Sequence, residues 1–405
     1  MNRPELLCPA GDFEKMRAAI HYGADAVYLG DPHFSLRNKA KNFDAAELRE
    51  AVKYAHERNV SVYVTVNIFA RSNDLPAIRE HIGFLNDIMP DAVIISDPGV
   101  FMLFKEEAPQ IKLHVSTQAN VTNSESAGFW KRMGAQRIIL SRELSIEEIR
   151  VIAENVDIEL EAFVHGSVCL SYAGKCYLSS FMASRSANSG ECTNSCRWKY
   201  ALVEEKRPGQ YFPVFEDDRG AYVMNSKDLC LIEHLPRLLR AGVKSFKIEG
   251  RMKGLHYVAA VTKCYREAID KLDDDRLYAA LLPEWEKELA LFSNRGYTAG
   301  LLFDDKQSDL YNFTGTGYNC ESEVIGIVTD RKAATAKVLL RAKLMIGDSV
   351  EYLLSASSNA TVIVESLRYE DGIDAVSASS GETVLIKAPE GSHKGDLVRK
   401  LSVKK

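Results

Sequence analysis

Short apolar runs alternate with amphipathic stretches through the first 170 residues of the chain. Many of the runs carry apolar residues at consecutive positions, which is typical of parallel strands covered on both faces. The stretches between them repeat apolar residues at three- and four-residue intervals, as helices do. The pattern predicts strands over residues 5–8, 26–29, 62–66, 92–95, 113–116, 137–140 and 158–163. It predicts helices over residues 12–22, 44–58, 75–88, 124–133 and 145–154, among others.

An eighth unit follows an irregular segment. An apolar stretch at 222–225, a predicted helix over 229–241 and a predicted strand over 245–248 complete it. Eight such units in about 270 residues favour a TIM-type (β/α)8 barrel over an open doubly wound sheet. No Gly-x-Gly-x-x-Gly follows the first strand, which counts further against a dinucleotide-binding fold. We therefore assign residues 1–310 to a catalytic barrel with a Cys-rich insertion at about 165–222.

The pattern changes near residue 320. Short alternating segments at 324–328, 336–340, 349–353, 361–364 and 383–386 are separated by Gly-containing turns. This spacing is typical of an all-β domain, and we expect a small β-barrel over residues 320–405. The pattern indicates no chemistry there, so we expect the domain to stabilise the barrel or to orient its substrate.

Composition narrows the class of protein. Hydrophobic residues make up 46% and charged residues 26%, as in soluble globular proteins. The 51 Lys and Arg against 56 Asp and Glu give a net charge of -5, so any RNA site must be local. No apolar stretch has the length of a membrane span, and the first residues do not resemble a secretory signal. We expect a cytoplasmic protein that does not associate with membranes, in which eight Cys are reduced.

Four of these cysteines fall within 28 residues: Cys169, Cys176, Cys192 and Cys196. Four thiolates can hold an iron-sulfur cluster or a zinc ion. The first gap exceeds the two to four residues typical of zinc sites, and several Lys and Arg lie among the cysteines, where they can offset a cluster's charge. We therefore favour an iron-sulfur cluster, with zinc or unligated thiols as alternatives. Cys169 directly follows the seventh strand, where barrel enzymes keep their chemistry.

Cys230 is a second candidate for the fourth ligand. It follows another predicted strand at the same end of the barrel and could replace Cys196. Cys8, Cys264 and Cys320 fit core packing better, because free cysteines commonly behave as small hydrophobic residues.

Polar residues also follow several other strands. His114, Ser116 and Gln118 share one face of the fifth strand and its loop, which predicts either substrate hydrogen bonding or a self-satisfied core network. Further polar side chains at strand ends predict one shared pocket: Asn67, Asp97 and Arg142 follow the third, fourth and sixth strands, and Lys247, Glu249 and Arg251 lie at the end of the eighth. The candidate catalytic residues are His114, Gln118, Arg142, Lys247, Glu249 and Arg251. The guanidinium groups of Arg142 and Arg251 would suit a substrate carboxylate.

Local charge supports an anionic partner. Residues 165–253 carry 14 Lys and Arg against 9 Asp and Glu, and several aromatic residues lie among them. Cations beside aromatic rings can contact phosphates and stack on exposed bases, although a solvated face can show the same composition. The candidates for an RNA entrance are Arg185, Arg197, Trp198, Lys199 and Lys253.

Several motifs in fixed order resemble peptidase family U32, the collagenase-like peptidases. They cover most of residues 4–303: ELLCPAG (5–11), GADAVYLG (23–30), HVSTQAN (114–120), ILSREL (139–144), the block from HGSVC to CRWKY (165–200), NSKDLC (225–230), KIEGRMK (247–253) and RGYTAG (295–300). Within the family the motifs most resemble the branch that makes 5-hydroxyuridine at the wobble position of tRNA; other members hydroxylate a ribosomal cytidine or the ubiquinone ring.

This resemblance implies an oxygen-independent hydroxylation with a 4Fe-4S cluster held by the four clustered cysteines. It implies the tRNA anticodon loop as the partner and a small dicarboxylate, prephenate, as the hydroxyl source. Hydroxylation of another RNA and an additional partner subunit remain open. Two other classes also remain: a non-catalytic RNA-binding module and a peptidase whose cysteine is activated by His165. The sequence contains no His-Glu-x-x-His and no Gly-x-Ser-x-Gly, which counts against the peptidase.

Overall fold

The apolar runs form a closed barrel of eight parallel strands in the computed structural model. The model describes residues 3–37, 40–169, 175–176, 178–195, 202–203, 211–212, 215–217, 220–222, 226–292, 294–303 and 321–401. The first seven barrel strands are β1 (Glu5–Pro9), β2 (Ala26–Gly30), β3 (Ser61–Val66), β4 (Ala92–Ile95), β5 (Lys112–Val115), β6 (Arg137–Ile139) and β7 (Glu159–Ser167).

Shorter strands separate the seventh and eighth barrel strands. They are β8 (Leu202–Val203), β9 (Tyr211–Phe212), β10 (Phe215–Asp217), β11 (Gly220–Tyr222) and β12 (Asp228–Cys230). The eighth barrel strand is β13 (Val243–Ile248), which pairs with β1 on one side and β7 on the other. The strand β14 (Tyr297–Thr298) extends the sheet beside β12. The TIM-type barrel predicted from the sequence is confirmed.

Helices follow the barrel strands and cover the outside. They are α1 (Phe13–His21), α2 (Ala45–His56), α3 (Leu75–Ile88), α4 (Pro98–Glu107), α5 (Ser124–Met133), α6 (Ile146–Asn155), α7 (Leu178–Ala183), α8 (Leu235–Arg240), α9 (Leu255–Ile269) and α10 (Asp275–Ala290). Side-chain caps fix where several of them begin. The Asp44 and Ser145 side chains each form a capping box, with Glu47 and Glu148 respectively, and so satisfy backbone N–H groups that a helix start leaves unpaired.

The helix predicted over 229–241 is wrong in its first half. Leu229 and Cys230 belong to β12, which pairs antiparallel with the end of β7, so that Cys230 lies opposite His165. The helix α8 begins only at Leu235, with Pro236 in its first turn. Proline is favoured at this position because its missing N–H is not needed there. This strand brings Asp228 against the same end of the barrel as the candidate site.

The small all-β domain predicted after residue 320 is confirmed as a curled antiparallel sheet. Its strands are β15 (Ser322–Lys332), β16 (Thr335–Leu340), β17 (Leu344–Met345), β18 (Ser349–Leu353), β19 (Ala360–Ile363), β20 (Leu367–Tyr369), β21 (Asp374–Ala375), β22 (Ser377–Ala378), β23 (Thr383–Lys387) and β24 (Leu397–Leu401). Eight of them form one sheet in the order β19-β18-β24-β15-β16-β23-β20-β21, and β17 pairs with β22.

The sheet packs against the helices on the outside of the barrel. The buried Tyr22 hydroxyl donates to the Leu353 carbonyl at 2.8 Å and accepts from the Leu397 N–H at 2.9 Å. Arg399, 1% exposed, pairs with Glu288 of α10 at 2.6 Å. These buried polar contacts fix the second domain on the barrel. Across the described ranges, no helix combines the length and apolar composition needed to cross a membrane.

Candidate active site at the mouth of the barrel

A pocket opens at the carboxyl ends of the barrel strands. Its empty volume is about 500 Å³, open solvent included. Inward-facing side chains of the strands line it together with residues of the loops that follow them. They are Tyr28, Ser35, Leu36, Arg37, Thr65, Asn67, Ile94, Ser116, Thr117, Gln118, Ile139, Arg142, Phe163, Lys247, Glu249 and Arg251. TIM-barrel enzymes hold their substrates at this end of the barrel, so this pocket is the candidate active site.

The Glu249 carboxylate lies between two arginines of the pocket. Its Oε1 is 3.5 Å from Arg37 Nε and its Oε2 is 3.9 Å from Arg142 Nη2. Burial alone would raise the pKa of this carboxyl, but the positive charge of Arg37 and Arg142 outweighs burial, and the pKa is lowered. Glu249 is therefore ionised, yet both distances exceed that of a charged hydrogen bond.

Arg142 retains unused hydrogen-bonding capacity. Its Nη1 donates to the Ser167 carbonyl at 3.0 Å, and its guanidinium lies 4.0 Å from the centre of the Phe163 ring. Its Nε is buried and has no hydrogen-bond partner among the described residues. A ligand carboxylate could accept this N–H, because guanidinium groups match carboxylate geometry.

Arg37 is a site residue that the sequence analysis missed. The negative charge of Glu249 raises the pKa of its guanidinium against the effect of burial, and the nearby side chains of Cys169 and Cys192 contribute in the same direction. Arg37 therefore lies within electrostatic range of both the carboxylate and the two thiols. It belongs to the loop after β2 rather than to a strand end. The cationic run of residues 37–41, directly after a barrel strand, is the signal that could have identified it.

Arg251 connects the loops beneath the pocket. Its guanidinium donates to the Ser35 hydroxyl at 2.5 Å, to the Thr65 hydroxyl at 3.1 Å and to the Asn42 side-chain carbonyl. The residue is 2% exposed, and burial lowers its pKa to about 10. Arg251 thus lines the pocket, as predicted, but most of its donors hold neighbouring loops in place.

Lys247 and His114 lie on the inner face of the barrel, as the strand alternation predicts. The Lys247 ammonium donates to Glu161 at 2.8 Å and lies 4.4 Å from the centre of the Tyr28 ring. Burial lowers its pKa more than Glu161 raises it. Burial also lowers the pKa of His114, whose ring contacts Tyr63 edge-on at 4.8 Å. His114 is therefore neutral, and it lies below the pocket lining rather than in it.

Gln118 and Asn67 line the pocket, whereas Asp97 does not. The Gln118 N–H donates to the Ser116 hydroxyl at 3.4 Å, and the Asn67 side-chain carbonyl accepts from the Leu36 N–H at 3.2 Å. The Asp97 carboxylate instead accepts the Val100 N–H at 2.9 Å and caps α4. Asp97 therefore has a structural role, and its predicted place in the shared pocket is wrong.

Three of the four clustered cysteines are described. Cys169 is exposed just beyond β7, and Cys176 and Cys192 are half-buried. The Cys192 sulfur accepts the Asn194 N–H at 3.4 Å and lies 3.9 Å from the Ser179 hydroxyl. Cys196, and with it Arg197, Trp198 and Lys199, falls outside the described residues.

The described thiols fit an iron-sulfur cluster in their chemistry. They are free rather than disulfide-bonded. Thiolates are the usual ligands of such clusters. The described part of the chain holds no set of three His, Cys, Asp or Glu side chains already arranged around a metal position.

Cys230 and His165 face the helix layer behind the mouth. The Cys230 sulfur lies 3.8 Å from the Tyr265 hydroxyl of α9, and burial raises its pKa to about 11. His165 Nδ1 lies 3.2 Å from the same hydroxyl, and burial lowers the pKa of His165 to about 3. Among the described residues no cysteine forms a hydrogen bond with a histidine, so the pairing that a cysteine peptidase requires is not formed there.

Two of the predicted RNA-contacting residues are described. Arg185 is exposed in the cysteine-rich segment. The Lys253 ammonium is turned inward, 3.7 Å from Asp228 and 5.2 Å from the centre of the Tyr257 ring. Asp228 also accepts a hydrogen bond from the buried Arg295 at 2.6 Å. Lys253 therefore contributes to a buried charge cluster behind the site.

Comparison with known proteins agrees with this architecture. Residues 11–312 match peptidase family U32, and residues 321–399 match the C-terminal domain of the same family.

Three relatives illustrate the similarity. The tRNA hydroxylation protein P of Escherichia coli is 37% identical over 96% of this chain and 95% of that protein. The 23S rRNA 5-hydroxycytidine synthase of the same organism is 37% identical over 68% of this chain and 40% of that protein. A collagenase of Porphyromonas gingivalis is 31% identical over 91% of both chains. The chain described here belongs to peptidase family U32.

Proposed function

We propose that this protein hydroxylates RNA and that its substrate is the wobble uridine of tRNA, which it converts to 5-hydroxyuridine. Two of its relatives are named for the hydroxylation of tRNA and of a ribosomal cytidine. The relative named for tRNA matches along nearly the whole of both chains, whereas the ribosomal enzyme is matched over 40% of its length. The tRNA assignment is therefore the more strongly supported of the two.

The excess of positive charge in the pocket is the observation that carries the proposal. Lys247 is matched by Glu161, so among the described residues that line the pocket Arg37, Arg142 and Arg251 lie around one carboxylate, that of Glu249. The contacts of Glu249 are long, so the arginines can accept a further anion. Such a site suits a small dicarboxylate, which is the chemistry of prephenate as a hydroxyl source.

A 4Fe-4S cluster on Cys169, Cys176, Cys192 and Cys196 would supply one-electron chemistry beside this pocket. Arg37 lies within electrostatic range of two of these cysteines and pairs with the carboxylate of the pocket. In our proposal Arg37 and Arg142 bind and orient the dicarboxylate, while Arg251 holds the surrounding loops. Lys247 and Gln118 line the remainder of the pocket.

The peptidase alternative has less support. A relative carries the name collagenase, but His165 is buried beside Tyr265 and has a pKa lowered to about 3. A histidine in this environment is a weak base for activating a thiol. We therefore do not propose proteolysis as a second function.

The test is mass spectrometry of nucleosides from the tRNA of a deletion strain, complemented with variants of the gene. Deletion should remove 5-hydroxyuridine and its derivatives, and the wild-type gene should restore them. Arg142→Gln and Arg37→Gln should each lower the restored level at least tenfold, because each removes one charged contact to the dicarboxylate. Arg150→Gln, which breaks an exposed ion pair with Glu154 on α6, should restore fully.

Unchanged tRNA in a deletion strain that lacks any related gene would disprove the tRNA assignment. Loss of a hydroxylated ribosomal cytidine in the same strain would instead identify ribosomal RNA as the substrate. Full restoration by both arginine variants would show that the charge excess of the pocket does not bind the co-substrate.

A further inference from the structure

A surface of two adjacent segments borders the pocket. The first is the loop that follows β3, which contributes Phe69 and Arg71; the second is the cysteine-rich segment, which contributes Lys175 and Arg185. The Phe69 N–H donates to the Asn188 carbonyl at 3.2 Å, which joins the two segments. We call these four residues, Phe69, Arg71, Lys175 and Arg185, the rim surface.

The rim surface lies directly beside the pocket lining. Asn67 lines the pocket, and Phe69 is only two residues further along the chain. Two residues of extended chain span about 7 Å at most. A group bound at Phe69 is therefore a close neighbour of a group bound in the pocket.

An aromatic ring and a cation meet on this surface. The Phe69 ring is half-buried, and the Lys175 ammonium lies 5.3 Å from its centre. Lys175 itself is exposed. A half-buried ring with an exposed cation over it can accept a flat ligand, and the ammonium can then contact a neighbouring negative charge.

The cations of the rim surface have no acidic partner among the described residues. Arg71, Lys175 and Arg185 are all exposed, and none of them forms an ion pair within the part of the chain that the structure describes. Two acidic residues of these segments, Asp74 and Glu191, form no ion pair with the three cations; the Asp74 carboxylate accepts the Arg71 backbone N–H instead. One cation over the ring, and two further exposed cations in the same two segments that have no ion pair among the described residues, favour a polyanion that carries flat groups. This is the chemistry of single-stranded RNA.

We propose that the rim surface binds the single-stranded RNA that flanks the modified nucleotide. One flanking base stacks on Phe69, and the adjacent phosphates contact Lys175 and the two arginines. This inference rests on the proposed function, because it takes the target to be a base in an RNA loop. A loop base can enter the pocket without the disruption of a duplex, and the stacked neighbour then fixes its register.

The experiment measures binding of an anticodon stem-loop RNA, with an unmodified wobble uridine, to the purified full-length protein at several salt concentrations. Phe69→Leu keeps the apolar bulk but removes the stacking face, and we expect it to weaken binding by roughly 5- to 150-fold with an unchanged salt slope. Phe69→Tyr should bind as the wild type does. Lys175→Gln should lower the salt slope by about 0.7, the loss of one phosphate contact to a single strand.

Matched controls come from the outer helices. Phe129→Leu changes a ring that is 45% exposed on α5, and Lys53→Gln removes an exposed charge on α2; both should bind RNA as the wild type does. Iron content is measured for every variant, so that loss of a bound cluster is not mistaken for loss of an RNA contact.

Wild-type affinity and slope in Phe69→Leu and Lys175→Gln would overturn the proposal. It would also be overturned if polyglutamate competed as well as RNA, since the surface would then recognise acidic protein. The nucleoside measurement separates this inference from the proposed function. Intact 5-hydroxyuridine in cells carrying Phe69→Leu, with unimpaired stem-loop binding, would reject the surface alone. Phe69-dependent binding with unchanged tRNA in the deletion strain would reject the function alone.

Discussion

Charged side chains are paired more closely at the amino-terminal end of the barrel interior than at the mouth. At the amino-terminal end, the Arg137 guanidinium donates to Glu5 at 2.6 Å, to Glu159 at 3.0 Å and to Glu161 at 3.1 Å. Glu5 also accepts from the Ser245 hydroxyl at 2.7 Å. At the mouth, the closest ion pairs of Glu249 measure 3.5 and 3.9 Å.

The two ends differ in how many charges and hydrogen-bond donors are left without a partner. At the amino-terminal end, Arg137 and its carboxylate partners contact each other at hydrogen-bond distance, so these described residues leave no unpaired charge for a ligand. Among the described residues that line the mouth, cations outnumber carboxylates, and the buried Nε of Arg142 has no hydrogen-bond partner there. A network in which every charge is paired stabilises the fold, whereas a network with an excess of one charge can bind a ligand of the opposite charge.

Lys247 connects the two ends. Its ammonium donates to Glu161 of the closed network, and its side chain also lines the pocket. The comparison therefore predicts that variants at the mouth lose function while they keep stability, and that variants of the closed network lose stability first.

The largest expected effect is at the cysteines beside the mouth. Anaerobically purified protein should be brown, with about four irons and four sulfides per chain, and Cys169→Ala or Cys192→Ala should lose the colour and the iron. Each substitution removes one thiolate from a cluster that has few substitutes. Metal and sulfide analysis with absorption spectroscopy measures the result, and stoichiometric zinc without sulfide would contradict it.

Cys264→Ala, at a buried position in α9, is the control. A comparison of Cys196→Ala with Cys230→Ala identifies the fourth ligand.

The next effect separates the two ends directly. Arg137→Met should lower the free energy of unfolding by about 3 to 5 kcal/mol, because it leaves buried carboxylates without their partner. Arg142→Gln should change it by about 1 kcal/mol, since it removes one hydrogen bond at a partly solvated position. Urea unfolding of both variants measures the difference.

Equal destabilisation by Arg137→Met and Arg142→Gln would show that charge pairs at the two ends stabilise the fold equally, which would contradict the difference proposed between them. Arg150→Gln gives the baseline for the loss of an exposed ion pair.

Periodicity was sufficient to predict most of the fold. Parallel strands buried on both faces leave continuous apolar runs, and the helices between them begin at capping residues such as Asp44 and Ser145. The helix predicted over 229–241 failed because its beginning pairs with the end of β7. That pairing is set by tertiary contacts rather than by local periodicity.

The site was predicted only where strand alternation reaches it. Strand alternation puts Lys247 of β13 and Glu249, which directly follows β13, on the same side of the chain, and both line the pocket. Arg37 was missed because no periodicity assigns direction to a loop side chain. Asp97 was misassigned because an aspartate after a strand can equally begin the next helix, as it does here. The roles proposed for the clustered cysteines remain predictions.

The smallest expected effect concerns acid. Burial raises the pKa of the Glu5 carboxyl, but Arg137 outweighs burial and the net pKa is lowered. Because the folded-state pKa lies below the unfolded value of about 4.3, this carboxylate stabilises the fold above that pH, and the stabilisation is lost as pH falls through the folded pKa. The pKa of Glu249 is lowered too, but its contacts are longer. In urea unfolding between pH 3 and 7, Glu5→Gln should therefore flatten the loss of stability below about pH 4.3 more than Glu249→Gln does. The reverse order would mean that the mouth, not the closed network, holds the tighter charge pairs.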